Sequence, residues 1–551
     1  MNLKSSNLYS VVLPISISML GTAILVAYLS PWSAVVTDAT MYLRMAQEIQ
    51  KGHWHIDHWL RGSYAGPPLY PLLVAISEWF FMDFEKAGTI VSITASSLLV
   101  VPIFFFTRYF YSGSVAWFII PIAILNPHYL LYASLPLTES LFTLIFLSCL
   151  LLTYRALKSK IPLLWCAVGI LSGAAWITRD VGIIIPFISM CWVIMDRWLN
   201  KLSFKNIVKN AALFTLGIMI IAVPVKLMMF LDLRNVSDLP VNSITSQLMM
   251  PDLRDAMERE AYLGGLNKDS TDYAFVEALK NPPSIGVILK NPDFILKRFV
   301  SNCVEVAKSI HLILGTVFIV FVFVGILAAI FYGKKESDVL IGQLLYPGVY
   351  VLFYILFYTL AGGFTGAIGP ERYLVPLIPV FGVCAVGGMG KINNLADKIN
   401  LRHAGIVASL LCLGLILITF KNDLIQIKHD LDASKNKIEL FKMAGTGFKK
   451  LVGKPGASKI TIMARSPFLP YYAGADWVVT PYGEYRDIVK FAKNRNVDFL
   501  NVDKQSVLLR PQLSFLMNPR VNIPEMEKYY WISSKKNPEE HYLVLYKMNR
   551  S

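Results

Sequence analysis

Long uninterrupted apolar runs, separated by short charged connections, occupy the first three quarters of the chain. Runs of about 16 to 23 residues are the length that crosses a bilayer core, and their number predicts about eleven spans. They fall at 8–29, 87–106, 115–135, 138–154, 162–177, 181–195, 211–231, 310–331, 339–361, 373–389 and 404–420. Asn126-Pro127 interrupts the third, and only Arg179-Asp180 separates the fifth from the sixth. The first run follows Lys4, exceeds a signal-peptide core and lacks a small-residue cleavage site, so it is expected to stay as a helix.

Where the pattern changes, it changes in kind. Two connections are long, at 30–86 and 232–308. In the first, Met41, Leu43, Met45, Ala46 and Ile49 recur at helical spacing after Asp38, and 67–81 is a second aromatic, amphipathic stretch, so both read as helices at the membrane interface. The second carries a charged helix-like stretch at 252–260, followed by Gly264-Gly265 and Asn281-Pro282-Pro283, which predicts a mobile lid. From residue 421 onward, short β-rich runs at 460–463, 477–480, 499–502 and 542–546 alternate with a helical run at 484–496. The expected fold is therefore an all-α polytopic membrane domain over 1–420 with a small C-terminal α/β domain over 421–551.

Composition supports this reading. Only 16% of the 551 residues are charged and 55% are hydrophobic, against about 25% charged in soluble proteins. The net charge of +15 sits mostly in short connections and in the tail, where it follows the positive-inside rule and gives no reason to expect nucleic acid as a partner. Threaded this way, the N-terminus is cytoplasmic and the C-terminal domain extracytoplasmic. The six cysteines lie in or beside apolar runs, with no metal-ligand spacing. Neither a G-x-G-x-x-G nor a Walker sequence is present, so nothing supports a nucleotide site.

The charges that topology does not explain gather at the outer mouths of the spans. Asp38 opens the first interfacial helix with Tyr42 one turn on; it serves either as a helix cap or as a general base for an acceptor hydroxyl. Glu139, in Pro136-Leu137-Thr138-Glu139-Ser140, enters the first turn of the fourth span, where it complements the helix dipole or takes part in chemistry. Arg179 is expected to pair with Asp180 at the turn between spans five and six, and either stabilises that hairpin or touches substrate. Glu371-Arg372-Tyr373 opens the tenth span, where a guanidinium fork suits a phosphate oxygen gaining charge. The turn Gly66-Pro67-Pro68-Leu69-Tyr70-Pro71 is expected to shape one wall. Finally, His53, His55, Asp57 and His58, followed by Arg61, can hold a divalent metal if the segment is extended, or act as interfacial polar heads.

In this order, the acid and tyrosine of the first long loop, the Gly-Pro-Pro-Leu-Tyr-Pro turn, Pro-Leu-Thr-Glu-Ser, the Gly173–Gly182 stretch around Thr178-Arg179, and Glu-Arg-Tyr-Leu-Val-Pro resemble the GT-C superfamily of membrane glycosyltransferases. Within it, the chain is most similar to prokaryotic relatives of protein O-mannosyltransferases and to aminoarabinose lipid A transferases. The resemblance covers about residues 1–420. It implies inverting transfer of a sugar from a polyprenyl-phosphate donor to a lipid, polysaccharide or protein acceptor at the outer face of a prokaryotic inner membrane. It would make Asp38 the base that deprotonates the acceptor, with Arg372 and Arg179 holding the departing lipid phosphate; beside these, Glu139 is a second catalytic candidate, and Tyr42, Arg61, Tyr70, Arg179, Glu371, Arg372 and Tyr373 are candidate substrate contacts. Protein mannosyltransferases carry Asp-Glu where this chain has Asp38-Ala39, a departure that leaves a lipid or glycan acceptor open. A transporter or flippase is the alternative, but it would place its charges near mid-membrane and in repeated halves. A receptor-like role for the tail would leave Asp38 and Arg372 without a purpose.

Overall fold

The computed structural model describes residues 5–60, 62–64, 66–111, 113–159, 161–233, 292–333, 346–357, 359, 371–398, 404–452, 460–480, 484–518, 520–533 and 541–549. The chain opens with α1 (Ser5–Leu29) and continues into α2 (Thr37–Gln50), the strands β1 (Ile56–Leu60) and β2 (Gly62–Tyr64), and α3 (Leu69–Phe81). Next come α4 (Phe84–Leu98) and α5 (Val100–Phe110), then the short α6 (Gly113–Ala116), α7 (Ile119–Ile124) and α8 (Pro127–Ala133). The bundle continues with α9 (Glu139–Lys158), α10 (Leu163–Trp176), α11 (Ile184–Asn200), α12 (Phe204–Leu233), α13 (Pro292–Gly333), α14 (Tyr346–Phe357), α15 (Glu371–Leu374) and α16 (Ile378–Lys398). Among the described residues, six helical spans are long and apolar enough to cross a membrane, and shorter apolar helices lie between them. The protein is an integral, multi-pass membrane protein.

The departures from the predicted spans have local causes. The third is not one rod: Asn126 caps α8 by accepting from Tyr129 N at 3.1 Å, Pro127 starts the new helix, and the Asn126 amide donates to Ile313 O of α13 at 2.7 Å. The fifth and sixth are helices of 14 and 17 residues joined by a 3₁₀ turn at Asp180–Ile183. The expected lid falls mostly on 234–291, outside the described residues. Helices α10 and α12 approach closely because a Cβ on Gly169 would fall 2.0 Å from Phe214 O, and one on Gly217 2.1 Å from Cys166 O. Small residues of this kind let helix backbones meet where lipid supplies no hydrophobic drive.

The eleventh predicted span does not stop at residue 420. It is the first part of α17 (Ala404–Val452), an unbroken helix of 49 residues that rises into the C-terminal domain. Beyond it follow β3 (Thr461–Ala464), α18 (Phe468–Ala473), β4 (Asp476–Val479), α19 (Tyr485–Asn494), β5 (Phe499–Asp503), α20 (Lys504–Leu509), β6 (Met526–Ser533) and β7 (His541–Met548). The sheet has seven strands in the order β2-β1-β4-β3-β5-β7-β6. Two of them therefore come from the first long loop: β1 runs parallel to β4, with Trp59 opposite Trp477. One sheet face, including Ile462, Phe499, Leu543 and Leu545, packs into the same core as Phe441, Ala444 and Phe448 of α17. The other is covered by Ile488, Val489 and Ala492 of α19 together with Leu513 and Leu516.

Candidate active site

The site forms where α2, α9, α15 and the turn after α10 meet. Asp38 is the second residue of α2, two positions inside the N-cap held by Val36, and no side chain caps that end. The capping reading of Asp38 therefore falls, because the helix begins two residues earlier than a cap at Asp38 requires. Its carboxylate, about a quarter exposed, accepts from Arg372 Nη1, while Arg372 Nε donates to Glu139 Oε1. Glu139, fully buried in the first turn of α9, holds a second guanidinium on the same oxygen, with Arg179 Nη1 at 2.6 Å. Arg179 also donates to Thr138 Oγ1 at 3.1 Å.

These four side chains form a closed charge group of two acids and two bases. Such a group is tolerable in a low-dielectric setting because each ion has a partner of opposite sign, whereas removing one strands the others. The expected Arg179-Asp180 ion pair is not what forms. Arg179 adopts extended backbone angles and turns toward the buried Glu139, whose charge has the greater need of a partner, while Asp180 starts the 3₁₀ turn. Asp180 lies within electrostatic reach of Lys226 as well as of Arg179. Lys226, on α12, stands 5.5 Å from the Trp176 ring centre, and a single cation in so apolar a run left no periodic signal in the sequence.

Aromatic groups line the cluster. Tyr42 sits one turn from Asp38 with its ring edge-on to Tyr70, centroids 5.8 Å apart. Burial pushes its hydroxyl up to about 12 although Arg372 pulls it down, so it is a neutral donor at ordinary pH. Tyr70 is fully buried and bonds Gly88 O at 2.8 Å and Ser92 Oγ at 3.1 Å, so it braces Tyr42 from beneath. The Tyr373 ring lies 5.0 Å from the Arg179 guanidinium, and its carbonyl accepts from Tyr354 at 2.7 Å. Glu371 lies within electrostatic reach of His128 and Tyr132. The Gly-Pro-Pro-Leu-Tyr-Pro turn docks through Leu69 N to Ile177 O at 2.9 Å, beside Thr178-Arg179. Arg61 lies outside the described residues.

The described part of the histidine run gathers around an acid of α12. His55 Nδ1 lies 2.5 Å from Asp232 Oδ2 at the end of α12, Trp54 N donates to the same oxygen at 2.6 Å, and His53 Nδ1 stands 3.8 Å from Oδ1. Among the described residues, no three His, Cys, Asp or Glu side chains are grouped to hold a metal ion; the side chains of Asp57 and His58 lie outside them. Asp232 was not singled out from the sequence, since it ends an apolar run as any flanking acid would.

No protein-family model and no curated protein sequence matches this chain. Solved structures do. ArnT from Cupriavidus metallidurans bound to undecaprenyl phosphate superposes over 98% of this chain and 98% of its own, with a TM-score of 0.54 at 11% identity. This chain shares the fold of that structure. The archaeal oligosaccharyltransferase AglB from Archaeoglobus fulgidus, in complex with an inhibitory peptide and a dolichol-phosphate, shares it over 89% of this chain and 69% of its own, with a TM-score of 0.53 at 12% identity. The likeness to ArnT extends across both chains, so the shared fold takes in the C-terminal sheet as well as the membrane helices.

Proposed function

We propose that the protein transfers a sugar, with inversion, from a polyprenyl-phosphate donor to the hydroxyl of a lipid, glycan or protein acceptor at the extracytoplasmic membrane face. The observation that carries this reading is the convergence of Asp38, Glu139, Arg372 and Arg179, with Asp38 alone among them substantially open to solvent. The positive-inside distribution supports a cytoplasmic N-terminus and an extracytoplasmic C-terminal domain. The neighbours solved with undecaprenyl phosphate or a dolichol-phosphate support the class of donor.

In this mechanism Asp38 takes the proton of the acceptor hydroxyl as its oxygen attacks the anomeric carbon. The bond from that carbon to the phosphate oxygen breaks, and the carrier phosphate leaves with the electron pair, gaining one negative charge. Arg372 links the two events. Asp38 loses its charge on protonation just as the phosphate gains one, so the Arg372 Nη1 donor passes from the carboxylate to the leaving group. Glu139 holds Arg372 and Arg179 in place throughout and keeps the resting site neutral. One such preorganised donor contributes ~3 kcal/mol to transition-state stabilisation. Tyr42 supplies a neutral hydrogen-bond donor beside the acceptor.

The test is transfer of radiolabelled sugar from synthetic polyprenyl-phosphate donors by the purified protein in nanodiscs. Asp38→Asn is expected to lower transfer by about 10²-fold or more while carrier-phosphate binding persists. Full transfer by that variant would sink the assignment. Export of a lipid-linked substrate across vesicles with no new glycosidic bond would favour a flippase instead.

A further inference from the structure

Outside the site, Glu85, the second residue of α4, ties distant parts of the chain together. It is buried, yet four donors from three separate parts of the chain converge on its carboxylate. Oε1 accepts from Ala34 N at 2.8 Å, Ser33 Oγ at 3.1 Å and Tyr472 OH at 2.6 Å, and Oε2 accepts from Lys442 Nζ at 2.6 Å. Ser33 and Ala34 belong to the link between α1 and α2. Lys442 is on α17 and Tyr472 on α18, so both report the position of the C-terminal domain.

What Glu85 grips is the lead-in to Asp38. Only Val35, Val36 and Thr37 separate Ala34 from it, and the bonds Val35 N to Ser33 O at 3.0 Å and Ala39 N to Val36 O at 3.1 Å leave that stretch little slack. Upstream, Trp32 takes a left-handed φ of 54° and is tied by its indole to Ala27 O at 3.1 Å. The far end of α2 is pinned separately, by Gln50 to Ala75 O at 3.0 Å and to Glu78 at 2.8 Å. The near end depends on Glu85, and Glu85 in turn depends on Lys442 for its countercharge. We infer that Glu85 is a positioning residue for Asp38, and that the C-terminal domain sets the geometry of the site through Tyr472 and Lys442. The catalytic part of this inference rests on the proposed role of Asp38.

The test uses the full-length protein in nanodiscs with Glu85→Gln, Tyr472→Phe, Lys442→Met and Lys442→Arg. Amide exchange over residues 33–44 needs no substrate. It is expected to quicken several-fold in the first three variants and to stay near wild type in Lys442→Arg, which keeps the charge. Transfer kinetics should show kcat reduced by about tenfold or more with donor KM within about twofold, as for a catalytic group displaced rather than lost. The double variant Glu85→Gln/Tyr472→Phe should be no slower than Glu85→Gln alone, because both break one latch. Unchanged exchange over 33–44 in folded Glu85→Gln would overturn the inference, as would parallel losses in kcat and binding that track thermal stability. Should Glu85→Gln fail to fold, Tyr472→Phe, which removes one hydroxyl, carries both readouts. Should the wild type transfer no sugar from any polyprenyl-phosphate donor, the proposed function fails and the exchange result still decides whether Glu85 holds this segment.

Discussion

Arg372→Lys separates bridging from charge. Arginine reaches Glu139 with Nε and Asp38 with Nη1, two nitrogens of one rigid plane serving two carboxylates. Lysine keeps the positive charge but has a single nitrogen on a flexible stem, so it can serve only one of them well. A hydrogen bond to a charged group is worth about 1.5–3 kcal/mol, and Glu139 keeps Arg179 at 2.6 Å, so the folding cost stays near that of one bond. The cost in turnover is larger in rate terms. Losing the donor that moves from Asp38 to the departing phosphate removes ~3 kcal/mol of transition-state stabilisation, or about 10²-fold in kcat. Initial rates at saturating donor, measured beside thermal unfolding of the same nanodisc preparation, test this directly. A lysine variant with more than about a third of the wild-type rate would refute the bridging argument, because charge alone would then suffice.

Glu139→Gln takes the shared carboxylate from two buried guanidinium groups and is expected to destabilise the protein by about 3–5 kcal/mol, read by chemical or thermal unfolding; a loss no larger than that of Arg372→Lys would contradict the shared-partner geometry. Gly169→Ala places a methyl group against the Phe214 carbonyl and should cost about 1–3 kcal/mol by forcing α10 and α12 apart, measured by unfolding, with a neutral effect arguing against the close crossing. For Tyr42 the folded state favours the protonated phenol. Its contribution to stability is therefore complete below pH 10 and is lost as pH rises toward about 12, so Tyr42→Phe should flatten the alkaline fall in melting temperature over that window.

Much of the membrane domain was legible because lipid demands continuous apolar length, and a run of that length has few other uses. The members of the site were legible for a related reason: Asp38, Glu139, Arg179 and Arg372 are charges at helix mouths that topology alone does not require. Their pairing was not. Arg179 stands next to Asp180 in sequence yet bonds Glu139, 40 positions away by number, and Arg372 reaches Asp38 across 334 residues. Adjacency is a poor guide where a buried charge competes for the same guanidinium. Glu85 reads in sequence as an ordinary first-turn acid of α4, and only the fold brings Ala34, Lys442 and Tyr472 to it. Likewise, β1 carries no mark that its partner is β4, because parallel pairing is decided by contacts far apart in the chain.

The unbroken helix α17 makes the membrane domain and the C-terminal sheet share one axis and one phase. Each residue of an α-helix advances about 1.5 Å and turns about 100°. Inserting or deleting one residue near Phe420 would therefore swing the strands β3–β7 about a quarter turn around that axis, carrying Lys442 off Glu85 and the β4 edge off β1. The length of this shaft keeps those contacts only if it changes in steps near a full turn, so helix length here behaves as a gear with discrete teeth.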